Sequence, residues 1–383
     1  MPQQKCYRTL WVLLLCGGAA SFSLGELSEP TAQQRQALAT LEADLASVDQ
    51  DVEQSDTEVN NSNTVLPWGP AWCFTQPTWL TQEVQVKRNI KYGSALNYFT
   101  RKYQDLHLDA YFPPAKDPRQ ERPAILLIHG GSFTSGNKSS DGVPALARSL
   151  AARGFVAVSI DYRLLPKELV LLDLTHAGPK LATTDARAAV RFLRKQAKLW
   201  RIDPTRIAVG GDSAGAIASL YYAVIPPAAS SAGLSNAGFS SGISGVISIS
   251  GAAKAQAFCS RIDENLLPHR CLLKSPPGVD DTQKLVAGDV PILLLHGTAD
   301  TIIPYINAVK GTERATEVGV RHELITIPNA GHVPLDQILD PKKPYLEWMM
   351  VFIGGMLDLA HSECPSRRSD DGSVAESQET LVV

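Results

Sequence analysis

The chain has 383 residues, a net charge of -3 and a hydrophobic fraction of 44%. That length holds one large domain or two smaller ones with a sizeable core, and the near-neutral charge gives no reason to invoke a nucleic-acid partner. Six cysteines are too few for a small disulfide-stapled scaffold.

Lys5 and Arg8 precede the apolar run Leu10–Cys16, and Gly17, Gly18, Ala19 and Ala20 follow it. A basic start, a short apolar stretch and a small-residue exit describe a secretory signal peptide over residues 1–25. The expected location is therefore secreted or lumenal, with no membrane span after cleavage. The alternative is an uncleaved anchor, for which the uncharged stretch is short. Cleavage removes Cys6 and Cys16 and leaves Cys73, Cys259, Cys271 and Cys364. Four cysteines in an oxidising compartment suggest two disulfides, with three pairings open. Cys259 with Cys271 closes a short loop, which leaves Cys73 to join Cys364 across the domain. A zinc site of Cys259, His269 and Cys271 is the competing reading, but its spacing fits no common zinc pattern. Asn60-Asn61-Ser62 and Asn137-Lys138-Ser139 are glycosylation sequons if the cell glycosylates.

Residues 26–67 are acidic and polar, with Leu38, Leu41, Leu45 and Val48 at helical spacing: a solvated arm, helical or disordered. The folded domain is expected over 68–361. Trp68, Trp72, Phe74 and Trp79 open it, either lining a substrate entrance or packing over the domain edge. Leu106–Phe112 reads as a strand. Ala124–Ile128, stopped by His129-Gly130-Gly131, reads as a buried parallel strand. A helix over Val143–Arg153 and a strand over Phe155–Ile160 follow. Thr184 or Asp185 can cap a helix running to about Leu199.

Ile207–Gly210 is another apolar strand, and it runs into Gly211-Asp212-Ser213-Ala214-Gly215. Strand, tight turn and helix around Gly-x-Ser-x-Gly form the nucleophile-elbow pattern, with Ser213 at the apex. Residues 223–244 read as a loop or small lid, Val246–Ser250 as a strand, and 252–288 as a compact insertion. Pro291–Gly297 is a further strand, 302–318 a helix, Glu323–Ile327 a last strand and 344–359 a last helix. Residues 362–383 read as a disordered tail. Apolar strands alternating with helices mean an α/β fold with a doubly wound, mostly parallel sheet and a small cap or insertion.

A serine nucleophile needs a base, a carboxylate to orient it and donors for an oxyanion. Of eight histidines, His332 alone comes late and just beyond a strand, where its ring reaches the sheet's ligand-binding edge. Asp300 lies just past the preceding strand. It could be an ordinary helix cap, but its glycine turn points to the acid. Asp280 and Asp281 are more distant alternatives. Gly130, Gly131 and Ala214 are the expected oxyanion-hole donors through their backbone N–H groups. His129 is read as a loop-fixing residue and Asp212 as a local hydrogen-bonding partner.

Together, His129-Gly130-Gly131-Ser132-Phe133, Asp161-Tyr162-Arg163-Leu164, Gly211–Gly215, His296-Gly297-Thr298-Ala299-Asp300 and Gly331-His332 resemble the α/β-hydrolase carboxylesterases. The similarity is greatest to the bacterial feruloyl-esterase-like and hormone-sensitive-lipase-like branches, over residues 80 to 360. The resemblance implies Ser213 as nucleophile, Asp300 as acid, His332 as base, and a small-molecule ester substrate. It needs no metal and no organic cofactor. Ala216 departs from the pattern, where a second glycine is common. Formamidase-like and prenylcysteine-methylesterase-like hydrolases share these blocks. A catalytically inactive hydrolase fold used for binding is the reading from another class.

Overall fold

A computed structural model describes residues 72–140, 142–167, 177–224, 235–252, 285 and 289–365. The proposed leader, the acidic arm, Trp68, the tail beyond residue 365, Cys259, Cys271, His269, Asp280 and Asp281 lie outside the described residues, as does most of the 252–288 insertion. Residues 362–365, expected to open a disordered tail, are instead held by the Cys73–Cys364 disulfide and by Glu363 on Arg206.

Eight strands form one sheet in the order β1-β2-β4-β3-β5-β6-β7-β8. They are β1 Gln85–Asn97, β2 Lys102–Phe112, β3 Arg122–Ile128, β4 Val156–Ile160, β5 Ile202–Asp212, β6 Gly245–Ile249, β7 Ile292–Gly297 and β8 His322–Ile327. The first two join the sheet antiparallel, and the remaining pairings are all parallel. The helices are α1 Trp72–Thr75, α2 Val143–Ala151, α3 Ala177–Trp200, α4 Ala214–Val224, α5 Ile306–Val318, α6 Leu335–Ile338 and α7 Tyr345–Met356.

The apolar runs are continuous because helices cover both faces of the sheet. In β3 every residue is buried. Ile125 and Leu127 point into a core shared with α2 and α7. Leu126 and Ile128 point into the opposite core, shared with α3 and α4. Truncating any of these four to Ala would cost about 2–5 kcal/mol.

Four other expectations change. β1 was not expected: it is a mostly polar edge strand, exposed to half-buried except at Tyr92. Helix α3 begins no later than Ala177, so Thr184 and Asp185 sit inside it and cap nothing. Their side chains have other partners: Thr184 Oγ1 donates to the Lys180 carbonyl at 2.8 Å, and Asp185 takes the Arg163 guanidinium. Helix α5 starts at Ile306 rather than Ile302: Pro304 disfavours helical backbone at Ile303, and Asp300 Oδ1 accepts the Ile302 and Ile303 N–H groups ahead of the helix. The opening aromatics divide by packing. Phe74 is buried edge-on against Phe155, and Trp79 Nε1 donates to Asp117 at 2.7 Å. Both contacts lie beside the starts of β3 and β4, which supports the domain-edge reading over a substrate entrance.

Candidate active site

The carboxyl ends of β3, β5, β7 and β8 converge on one edge, where open α/β sheets place their ligands. β5 delivers Ser213 on the elbow. Its φ is +51°, a left-handed conformation that costs a non-glycine residue energy. The turn is tight enough that a Cβ on Gly215 would fall on the Ile128 carbonyl, and one on Gly211 would meet Gly215 itself. The two motif glycines are there for that close approach. The Ser213 N–H donates to the Ile249 carbonyl at 2.9 Å, which fastens the apex to β6.

β7 and β8 deliver the other two side chains through a pair of touching loops. Ala299 N–H donates to the Ala330 carbonyl at 2.9 Å. A Cβ on Gly297 would collide with the Ala330 and Gly331 carbonyls, so this glycine lets the loops close. Asp300 and His332 meet as a result.

Three side chains predicted from sequence are brought into line. His332 Nε2 lies 2.8 Å from Ser213 Oγ, and His332 Nδ1 lies 2.8 Å from Asp300 Oδ2. A carboxylate only accepts, so Nδ1 carries the proton and Nε2 presents a lone pair to the serine hydroxyl. Asp300 is buried, and its Oδ1 accepts the Ile302 and Ile303 amides at 2.8 Å each. Burial alone would raise its pKa. The donors from His296, His332 and Ile303 outweigh burial and hold it well below the usual carboxylate range. It is therefore ionised at neutral pH.

The three expected oxyanion donors separate. Gly131 and Ala214 have backbone N–H groups with no acceptor among the described residues. The Gly130 N–H instead donates to Asp212 Oδ2 at 3.1 Å, so it is not free for a substrate oxygen. The Gly130 N–H is thus spent on tying its loop to Asp212. His129 lies beneath it: Nδ1 donates to the Gly130 carbonyl at 2.6 Å, and the ring stacks on Tyr162 at 4.4 Å. Burial, partly offset by that carbonyl, lowers its pKa. With Nδ1 committed and the ring buried, His129 fixes the loop and is no second base. His296 and Ser250 were not singled out from sequence, although His296 faces Asp300 Oδ2 at 3.2 Å and Ser250 Oγ accepts the Val333 N–H next to His332. The i,i+4 spacing of His296 and Asp300 was the available signal. Among the described residues no cluster of three or more metal-ligating side chains occurs, and no helix is long and apolar enough to cross a membrane.

The mostly parallel sheet, the elbow after β5 and the loops bearing Asp300 and His332 after β7 and β8 define the α/β-hydrolase fold. Comparison with known proteins agrees with that class. The family model described as BD-FAE matches residues 108–260. Esterase LipC of Mycobacterium tuberculosis is 27% identical over 237 residues, spanning 56% of this chain and 54% of the relative. Carboxylesterase NlhH of the same species is 35% identical over 111 residues, spanning 29% of this chain and 31% of the relative. The chain therefore matches about half the length of the first relative and about a third of the second. Among solved structures, apo esterase 2 of Thermogutta terrifontis superposes with a TM-score of 0.53 at 24% identity, covering 73% of this chain and 97% of that one. A truncated carbohydrate esterase from gut microbiota gives a TM-score of 0.52 at 21% identity, covering 76% and 100%. The chain has the α/β-hydrolase fold, and the relatives it resembles include esterases and carboxylesterases.

Proposed function

We propose that this chain is a serine carboxylesterase that works through an acyl-enzyme on a small or medium ester. The observation that carries this reading is the unbroken Ser213–His332–Asp300 relay with two unpaired backbone N–H groups beside the serine.

His332 Nε2 takes the Ser213 proton as Oγ attacks the ester carbonyl, and Asp300 stabilises the imidazolium that forms. The carbonyl oxygen, now negative, is held by the Gly131 and Ala214 N–H groups. These belong to fixed backbone, one of them at the start of α4, and need no reorganisation as charge develops. The imidazolium returns its proton to the leaving alkoxide, and the C–O bond to the alcohol breaks. Water then attacks the acyl-serine with His332 again as base, releasing the acid and regenerating Ser213. This chain's residues supply every group in the sequence of steps.

The proposed setting is a secretory lumen or the exterior. The Cys73–Cys364 disulfide supports it, because such bonds persist in oxidising compartments. Amino-terminal sequencing of the protein exported from cells tests this: a start within or before the apolar run would sink cleavage.

The activity is tested by turnover of p-nitrophenyl esters of increasing acyl length, with Ser213→Ala alongside. The variant should lose roughly a millionfold in kcat. An N-formyl aromatic amine and a prenylcysteine methyl ester belong in the same panel, and preferential cleavage of either would redirect the substrate class. If wild type cleaves nothing and a fluorophosphonate fails to label Ser213, the inactive binding fold becomes the better account.

A further inference from the structure

β7 carries His296 one residue before its end, and the histidine ring is 1% exposed. Its Nε2 lies 2.8 Å from the Ile303 carbonyl and 3.2 Å from Asp300 Oδ2. Both partners are acceptors only, so Nε2 carries a proton; it donates to the Ile303 carbonyl, and Asp300 Oδ2 lies beside the same N–H at 3.2 Å. The ring is itself held. Tyr305 packs on it edge-on at 6.0 Å, and the Tyr305 hydroxyl is anchored to Thr326 Oγ1 at 2.6 Å.

A carboxylate offers about four acceptor positions. In Asp300 two backbone amides occupy Oδ1, while His332 Nδ1 and His296 Nε2 meet at Oδ2. The amides alone would hold one oxygen and leave the other oriented only by His332. His296 fixes that second oxygen from the side away from solvent.

We propose that His296 is a positioning residue of the relay: it holds Asp300 Oδ2 in place and, by drawing on that oxygen's charge, sets the basicity of His332. The inference rests on the triad reading above. A donor on Oδ2 disperses the charge that would otherwise stabilise the His332 imidazolium. Removing the donor should therefore raise the pKa of His332, not lower it. The titratable groups facing His332 and Asp300 are His296 from β7 and Asp212 beside the elbow, with Tyr305 behind His296. Of these, His296 alone touches the carboxylate. A purely structural staple between β7 and Ile303 would make a different prediction, a loss of stability with His332 titrating as before.

The test compares wild type, His296→Leu and His296→Gln, with Ser213→Ala as the inactive control. Two readouts are followed, the acid limb of kcat/KM against pH and the NMR titration of the His332 ring. In His296→Leu both midpoints should rise by about half a unit to one unit. Its kcat should fall about tenfold with KM nearly unchanged, because the lost interaction orients the base. His296→Gln keeps an N–H on a side chain of similar reach and should restore most of the shift. If His296→Leu fails to fold, His296→Asn, which is too short to reach Asp300, replaces it with the same expected shift. A folded variant whose two midpoints match wild type overturns the inference, as do equal shifts in the Leu and Gln variants. If wild type cleaves no ester the proposed function fails instead, and the NMR titration still decides the role of His296.

Discussion

Asp212 and Gly130 are joined by a hydrogen bond of 3.1 Å from the glycine N–H to Asp212 Oδ2, so the residue before Ser213 holds the loop that faces it. Burial raises the Asp212 carboxyl from its ordinary value of 3.8 to about 6, although the Gly130 N–H and the nearby His332 both act in the opposite direction. The native chain therefore binds this proton more tightly than the unfolded chain. Between pH 3.8 and about 6 the folded state carries the extra proton, and stability falls as pH rises through that window. Asp212→Asn removes the titration while its amide oxygen can still accept from Gly130. The variant's melting temperature relative to wild type should climb from about pH 4 to about pH 7. The gain should be roughly 2 kcal/mol after allowing for partial exposure, or several degrees. Melts across that range check it, and a difference that stays flat or shrinks would count against the burial argument.

The same pair marks the boundary of what the sequence discloses. The elbow was legible because its backbone admits few residues: glycines at 211 and 215 are what the Ile128 carbonyl and the turn itself demand. Buried parallel strands were legible because two covered faces demand unbroken apolar runs. Asp300 and His332 were legible from their place just past strand ends. Partnerships that depend on tertiary approach were not. Gly130 and Asp212 are 82 residues apart, and nothing local shows that one N–H of the glycine loop is already spent. Asp185 looks like a helix cap by residue type, yet it is buried and takes Arg163 through its backbone N–H and guanidinium at 2.7–2.8 Å. β1 was missed because an edge strand carries polar residues on most of its length, which weakens the alternation by which strands are recognised.

Cys73 and Cys364 close the chain across a separation of 291 residues, joining α1 to the segment after α7. The bond lies beside Arg119, which in turn reaches the Arg153 carbonyl just ahead of β4, at the edge opposite the relay. Its contribution comes chiefly from restricting the unfolded chain, on the order of 3–5 kcal/mol for so long a loop. Replacing both cysteines by serine should lower the melting temperature by about 10 °C. Ester turnover at 25 °C should stay within about twofold of wild type, since no relay atom depends on the bond. Melting curves and rates on the double variant check both halves. A large loss of kcat in protein that remains folded would contradict the separation of the two edges.

Ser250 ties the elbow to the histidine loop from below. It is fully buried, and its Oγ accepts the Val333 N–H at 3.0 Å, one residue beyond His332. Its own N–H donates to the Leu295 carbonyl at 2.9 Å, and the neighbouring Ile249 carbonyl takes the Ser213 N–H at 2.9 Å. The end of β6 thus sets the spacing between Ser213 and the loop that carries His332. Val333 has a φ of +53°, a conformation a β-branched residue holds only when its surroundings enforce it. Ser250→Ala leaves that N–H without its acceptor, which should cost about 1–2 kcal/mol of stability. The histidine loop should then relax toward an ordinary backbone and carry His332 away from Ser213. Because the approach of base to nucleophile governs the rate, kcat should fall by about tenfold or more, with KM little changed. The acid limb of the pH profile should stay where it is, since Ser250 touches neither Asp300 nor the His332 ring; that separates this variant from one at His296. Steady-state kinetics with a pH profile check the prediction. If Ser250→Ala loses stability yet keeps the wild-type kcat, the spacing is set elsewhere, and the strain at Val333 serves packing alone.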